Sequence, residues 1–162
     1  MKKVKVLAVC LGNICRSPAA QGILQRVAQD CSDLVLEVDS AGTAAYHIGS
    51  SPDSRSVQAL AKVGVDISSQ QARQVSIADF DCFDWILAMD NENLSNLRAI
   101  QPPGSHAKVV LFGEYCADAD FGEVQDPYYG KSNGFNLMRV QLQQIAEDFI
   151  NTLILSERGL RR

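Results

Sequence analysis

The apolar run Val4-Lys5-Val6-Leu7-Ala8-Val9 leads directly into Cys10-Leu11-Gly12-Asn13-Ile14-Cys15-Arg16-Ser17-Pro18. A short run of this composition reads as a buried strand. Ser17-Pro18-Ala19-Ala20-Gln21 reads as a helix start, with Ser17 at N-cap and Pro18 at N1. The loop between them therefore sits at the carboxyl end of a strand and the amino end of a helix. Orphan N–H groups and the positive end of the helix dipole favour an anion there, and in open α/β sheets this is where ligands bind.

The residue types in the loop suit a phosphate-sized guest. Gly12 lets the backbone bend with no Cβ in the way, so successive N–H groups can turn inward as an anion nest. Asn13 tolerates left-handed geometry and can brace the loop through its amide. Arg16 can close the nest with a planar fork on two oxygens, a geometry that lysine lacks. The same positive field acts on Cys10, so the sequence predicts a thiolate at neutral pH. A lone cysteine at a strand end would read as a core residue. The Gly-Asn turn, the arginine and the Ser-Pro helix start argue instead for a nucleophile.

Strand and helix alternate along the rest of the chain, which predicts one α/β domain over residues 1–162. The expected architecture is a doubly wound, four-stranded parallel sheet with helices on both faces. A helix over about 18–30 is followed by a strand at Leu34–Asp39 and a helix opening at Ser51-Pro52-Asp53, with Val57, Leu60, Ala61 and Val63 as its apolar face. Strands follow at Phe83–Met89 and Lys108–Phe112, separated by a helix from Asn91 to about Ala99 that Asp90 caps. A last helix, from about Gly134 to Ser156, carries Leu137, Val140, Leu142, Ile145, Phe149 and Leu153 at core spacing. Long connections at about 40–52 and 113–133 carry Tyr46 and Asp126, and both are expected to converge on the Cys10 loop. Gly130-Lys131-Ser132 does not read as a nucleotide P-loop, because Gln125 stands where its leading glycine would be.

Composition excludes several function classes. A net charge of −4, with both signs dispersed, gives no basic stripe for nucleic acid. Arg158, Arg161 and Arg162 read as helix C-terminal charge. No apolar run reaches a membrane span, and the short strand after Met1-Lys2-Lys3 is no signal peptide. Five cysteines, no Cys-x2-Cys and two histidines, His47 and His106, argue against a disulfide framework and against metal. The expectation is a cytoplasmic monomer with reduced thiols and no cofactor.

The Cys-x5-Arg-Ser-Pro run near the amino terminus resembles the signature of the low-molecular-weight protein tyrosine phosphatase family. Ser40-Ala41-Gly42-Thr43, Ala72-Arg73-Gln74 and Asp126-Pro127-Tyr128-Tyr129-Gly130 match further segments of that family in the same order. By itself Asp126-Pro127 reads as turn chemistry. The resemblance implies a phosphotyrosine and aryl phosphate hydrolase acting on tyrosine-phosphorylated proteins through a phosphocysteine. In it Cys10 is nucleophile, Arg16 binds phosphate and Asp126 is general acid and base. It also implies that Leu11, Gly12, Asn13, Ile14, Cys15, Arg16 and Ser17 hold the phosphate. Ser17 would donate to the thiolate, and Tyr46, Tyr128 and Tyr129 would wall the substrate pocket. Cys15 would be the reversible disulfide partner of Cys10.

Two segments depart from the family pattern, one at the rim and one beside the loop. Tyr46, followed by His47, stands where many members have tryptophan, and Gln70-Gln71 precede Ala72 where many have histidine. Ile14 looks like the tyrosine phosphatase version of a position that is Thr in phosphoarginine-directed relatives and Ser or Thr in arsenate reductases. Arsenate reduction, with Cys82 or Cys116 as relay thiols, and non-catalytic phosphotyrosine binding are the alternatives. The first lacks cysteines at a relay spacing; the second would need neither nucleophile nor acid.

Overall fold

The structure, a computed structural model, describes residues 2–116, 122–124, 126–127 and 133–157. Four strands, β1 (Lys2–Cys10), β2 (Leu34–Gly42), β3 (Trp85–Ala88) and β4 (Lys108–Leu111), form a parallel sheet in the order β2-β1-β3-β4. The helices are α1 (Arg16–Gln29), α2 (Ser54–Ala61), α3 (Asp79–Cys82), α4 (Asn91–Ile100) and α5 (Gly134–Glu157). The chain leaves β1 toward β2 and then returns to β3 on the other side of β1. The strand order thus reverses at β1, and the crevice at its carboxyl end, occupied by the Cys10 loop, is the topological switch point.

Alternation along β1 builds two cores. Val4, Val6, Ala8 and Cys10 face one cluster with Ile23 and Leu24 of α1, Leu60 of α2 and Leu142, Ile145 and Phe149 of α5. Leu7 and Val9 face the other with Phe80 of α3, Ile86 and Ala88 of β3 and Leu97 of α4. Because β1 is covered on both faces, its sequence is nearly continuous in apolar residues. The expected doubly wound parallel sheet with helices on both faces is therefore present.

Several local expectations differ. α1 starts at Arg16, with Cys15 as N-cap and no side-chain cap, so Ser17 is not the cap. Its hydroxyl is committed to Cys10 and Asn13 instead. Pro18 still lies in the first turn, where its missing N–H leaves no helix bond unmade. Pro52 lies ahead of α2, which Asp53 caps by accepting from the Arg55 N–H at 2.9 Å. α2 buries Ser56, Ala59 and Leu60, while Val63 is exposed. On α5 the buried stripe begins at Phe135 and runs through Met138, Leu142, Ile145, Phe149 and Leu153; Leu137 and Val140, expected on it, face outward. The four-residue α3 is too short for a periodic signal. Asp90 caps α4 as expected, its Oδ1 accepting from the Asn93 N–H at 2.7 Å.

Phe149 joins α5 to the sheet through edge-on contacts with Trp85, Phe112 and Tyr115, at centroid distances of 5.4, 5.9 and 5.0 Å. It is fully buried. Phe149→Ala should lower unfolding stability by about 3–5 kcal/mol in urea titration, since the rigid β-sheet lining prevents collapse around the void. A loss under about 1 kcal/mol would show that this cluster does not anchor α5.

Candidate active site

The Cys10–Arg16 loop is held from outside by its carbonyls. The carbonyls of Cys10 and Leu11 accept from the N–H groups of Thr43 and Ala44, both at 2.9 Å, and that of Ile14 accepts from Asp53 at 2.8 Å. The Cys15 carbonyl accepts the Ser56 hydroxyl at 3.2 Å and the Ala19 N–H at 3.3 Å. Every described peptide bond is trans, so each N–H points opposite to the carbonyl of the preceding residue. The N–H groups of Leu11, Gly12, Cys15 and Arg16 are thereby turned toward the inside of the loop. The left-handed conformation belongs to Asn13, at φ 59°, and not to Gly12. Gly12 matters for space: a Cβ there would come within 2.9 Å of His47.

An open cavity of about 80 Å³ lies against the loop, lined by Cys10, Leu11, Gly12, Ile14, Cys15, Arg16, Tyr46, His47 and Asp126. That is room for several water-sized groups. The two long connections do converge on the loop, as Tyr46 and Asp126 both reach the cavity. Tyr46 is 75% exposed, and its ring meets that of His47 edge-on. Tyr128 and Tyr129, expected on the same wall, lie outside the described residues. Asn13 and Ser17, expected among the phosphate ligands, do not line the cavity but stand behind it, both buried. Cys82 is exposed ahead of β3 and Cys116 is buried; neither lines the cavity.

Behind the loop, Cys10 Sγ lies 3.0 Å from Ser17 Oγ and accepts the Asn13 N–H at 3.3 Å. The Asn13 Nδ2 group donates to Ser17 Oγ at 2.8 Å and to Ser40 Oγ at 2.9 Å, and Asn13 Oδ1 accepts the Arg73 N–H at 3.0 Å. Ser40 in turn donates to Gln21 Oε1 at 2.8 Å. With its oxygen receiving Asn13, Ser17 has its own proton left to give, and the sulfur is nearer than the alternative Ala41 carbonyl at 3.4 Å. These donors suit a sulfur that carries negative charge. Gln70 donates to the Pro18 carbonyl at 3.2 Å, in the first turn of α1.

Arg16 is 3% exposed, and its Nη1 donates to Asp90 Oδ2 at 2.6 Å and to the Val124 carbonyl at 3.1 Å. Its Nη2 lies 3.6 Å from Asp126 Oδ2, whose side chain is 35% exposed. Burial works against the guanidinium charge, but Cys10, Asp90 and Asp126 outweigh it and hold the group still more firmly protonated than a free arginine. The Cys15 thiol is also shifted upward, and there the shift favours the neutral form. Burial first, then the Asp53 carboxylate and the charge at Cys10, raise its pKa well above that of an ordinary thiol. Asp90 was legible only as a helix cap; one carboxylate caps α4 with Oδ1 and binds Arg16 with Oδ2. Among the described residues no group of three His, Cys, Asp or Glu side chains could hold a metal ion, and no helix is long and apolar enough to cross a membrane.

This arrangement places a sulfur, an anion cradle and a carboxyl group on one cavity, a geometry suited to transferring a phosphoryl group to sulfur and then to water. The family model described as low molecular weight phosphotyrosine protein phosphatase matches residues 5–158. A fission yeast protein of that name, from Schizosaccharomyces pombe, is 42% identical over 157 residues, spanning 94% of this chain and 98% of its own. Its Saccharomyces cerevisiae counterpart is 38% identical, over 91% of this chain and 94% of its own. Among solved structures, a protein tyrosine phosphatase from Entamoeba histolytica with Hepes in its active site superposes with a TM-score of 0.89. It shares 36% identity and is covered over 99% of its length by 95% of this chain.

The loop geometry predicts the effect of filling Gly42, the last residue of β2. A Cβ there would sit 2.7 Å from the Leu11 carbonyl and 3.1 Å from the Gly12 carbonyl carbon. Gly42→Ala should therefore push the outer side of the cradle, costing about 1–3 kcal/mol in chemical denaturation and weakening competitive inhibition by inorganic phosphate at least severalfold. Unchanged phosphate inhibition would mean that the outward carbonyl bonds do not shape the cradle.

Proposed function

Because the chain belongs to the low molecular weight phosphotyrosine protein phosphatase family of hydrolases, we propose that it hydrolyses phosphotyrosine in proteins, and small aryl phosphates, through a phosphocysteine on Cys10. The observation that carries this reading is the placement of Cys10, Arg16 and Asp126 on one cavity, with Arg16 Nη2 within 3.6 Å of the Asp126 carboxylate.

The phosphoryl group enters with its non-bridging oxygens against the N–H groups of Leu11, Gly12, Cys15 and Arg16 and the guanidinium fork. The Cys10 thiolate attacks phosphorus. As the S–P bond forms, the P–O bond to the phenol breaks, and Asp126 gives its proton to the departing oxygen. In the second step Asp126, now a carboxylate, takes a proton from water. The water oxygen bonds to phosphorus, the S–P bond breaks, and inorganic phosphate leaves. The cradle and Arg16 stabilise the equatorial oxygens in both transition states. Ser17 and the Asn13 N–H stabilise the sulfur as it departs. Leu11, Ile14 and Tyr46 offer apolar and aromatic surface to the substrate ring, and Tyr128 and Tyr129 are assigned to the same wall on sequence grounds. The odd cysteine count, with no disulfide framework in the sequence, supports a reducing compartment such as the cytoplasm.

Steady-state hydrolysis of aryl phosphates in EDTA and thiol tests the assignment. Cys10→Ser should abolish turnover while keeping oxyanion binding. Asp126→Ala should slow substrates with poor leaving groups by about 100-fold or more and good ones much less. Equal losses for all leaving groups would remove Asp126 from the role of acid.

Cys15 is assigned as the resolving thiol after oxidation. Peroxide converts the Cys10 thiolate to sulfenic acid with release of hydroxide, and the Cys15 thiolate then displaces a second hydroxide to form the disulfide. Burial and Asp53 keep Cys15 protonated at neutral pH, so the thiolate fraction, and with it resolution, rises with pH. The expected result by mass spectrometry is a ratio of disulfide to over-oxidised Cys10 that increases between pH 7 and pH 9. A ratio independent of pH would refute Cys15 as the resolving residue.

A further inference from the structure

Arg73 takes no part in the chemical steps above, yet three hydrogen bonds in series join it to the nucleophile. Its N–H donates to Asn13 Oδ1 at 3.0 Å, Asn13 Nδ2 donates to Ser17 Oγ at 2.8 Å, and Ser17 Oγ lies 3.0 Å from Cys10 Sγ. The first of these bonds fixes the orientation of the Asn13 amide. With Oδ1 engaged by a backbone donor, the Nδ2 hydrogens face Ser17 and Ser40, and reversing the amide would set Nδ2 against the Arg73 N–H and Oδ1 against two hydroxyl oxygens.

The side chain of Arg73 keeps that N–H in place. Nη1 and Nη2 donate to Asp79 Oδ2 and Oδ1 at 3.0 and 3.1 Å, and Nε donates to Asp39 Oδ2 at 3.2 Å. Asp79 also accepts the Ser76 N–H at 2.8 Å, and Asp39 Oδ1 accepts the Ser40 N–H at 2.8 Å. The guanidinium therefore links the end of β2 to the start of α3. Between them the main chain of residue 73 is pinned on Gly42, whose N–H donates to the Arg73 carbonyl at 2.8 Å. A planar fork can hold two carboxylates at once in this way, and an ammonium cannot.

We propose that Arg73 is a positioning residue for Cys10: its two-carboxylate clamp holds the backbone donor that orients Asn13, and so aims the Ser17 hydroxyl at the sulfur. The proposal rests on the reading of Cys10 as nucleophile. It requires no change in the charged and titratable groups lining the Cys10 cavity, namely Arg16, Cys15, His47 and Asp126.

The test compares wild type, Arg73→Lys and Arg73→Gln by alkylation of Cys10 with iodoacetamide across pH, read by mass spectrometry, and by aryl phosphate kinetics. Loss of aim should raise the alkylation midpoint by about one pH unit and lower kcat about tenfold. Inhibition by inorganic phosphate should stay within about twofold, since the cradle and Arg16 are untouched. Lysine should recover part of the loss seen with glutamine. Variants that lose thermal stability but keep the wild-type midpoint and kcat would overturn the proposal. So would a phosphate Ki that rises in step with the loss of kcat, which would mean general damage to the loop. Should both Arg73 variants fail to fold, Asp39→Asn, which weakens one arm and leaves the Asp79 fork, is read by the same midpoint; no movement there overturns the proposal. A wild-type protein that alkylates at Cys10 with the expected profile but hydrolyses no aryl phosphate would sink the phosphatase reading alone, because alkylation needs no turnover.

Discussion

A peptide unit cannot turn its carbonyl and its N–H to the same side, and the loop after β1 is organised around that restriction. Neighbours on the outside take its carbonyls: Thr43 and Ala44 beyond β2, and Asp53 and Ser56 at the start of α2. The N–H groups of Leu11, Gly12, Cys15 and Arg16 are left to face inward, and that of Asn13 is taken by Cys10 Sγ. The cradle is therefore a consequence of where β2 ends and α2 begins. It depends on the strand order, which brings those two elements to the same end of β1. The close approach of Gly42 to the Leu11 carbonyl has the same origin: the two chains are near enough to bond only if one of them lacks a side chain at that point.

The second constraint is the buried charge of Arg16. An isolated guanidinium at 3% exposure would be very costly, and a single carboxylate beside it would leave most of its five donors idle. Asp90 and the Val124 carbonyl occupy one side, which leaves the face toward the cavity for an anion and for Asp126. The pairing with Asp90 fixes the fork from behind, so less side-chain entropy remains to be lost when an anion binds. Because Asp90 also caps α4, Arg16 is tied to the helix that follows β3. The supports of the site thus come from every part of the sheet's carboxyl edge.

What the sequence revealed and what it concealed divide along the same physical line. The sheet was legible because period and turn chemistry are local, and Asp90 declared itself as a cap because capping is a contact over three residues. The nest was legible because its parts lie within eight positions of one another. Ser17 was misplaced because a serine before a helical run has two uses for its hydroxyl, and only the distance to Cys10 Sγ chooses between them. The second duty of Asp90, the bracing of Asn13 by Arg73 and the partnership of Ser40 with Gln21 join residues 74, 60 and 19 positions apart. No periodicity encodes such pairings; they follow from the strand order and from burial. On α5, Leu137 and Val140 fit the apolar face by residue type, but Phe135 and Met138 fill the buried positions there, a choice that only packing makes.

The contrast between the floor and the rim of the cavity bears on selectivity. At the floor and in the layer behind it, Cys10, Arg16, Asn13, Ser17 and Ser40 are all at most 4% exposed, and each is hydrogen-bonded to a neighbour. A change there propagates through the network, so the floor tolerates little variation. At the rim, Tyr46 and Ile48 are 75% and 59% exposed, and a substitution there disturbs little of the core. Discrimination among substrates carrying the same phosphoryl group must come from contacts made outside the floor, because the floor sees the same atoms in all of them. Tyr46 and His47, which line the cavity mouth, lie on that exposed loop. The chemistry and the choice of substrate are thus carried by different parts of the site, with different tolerance to change.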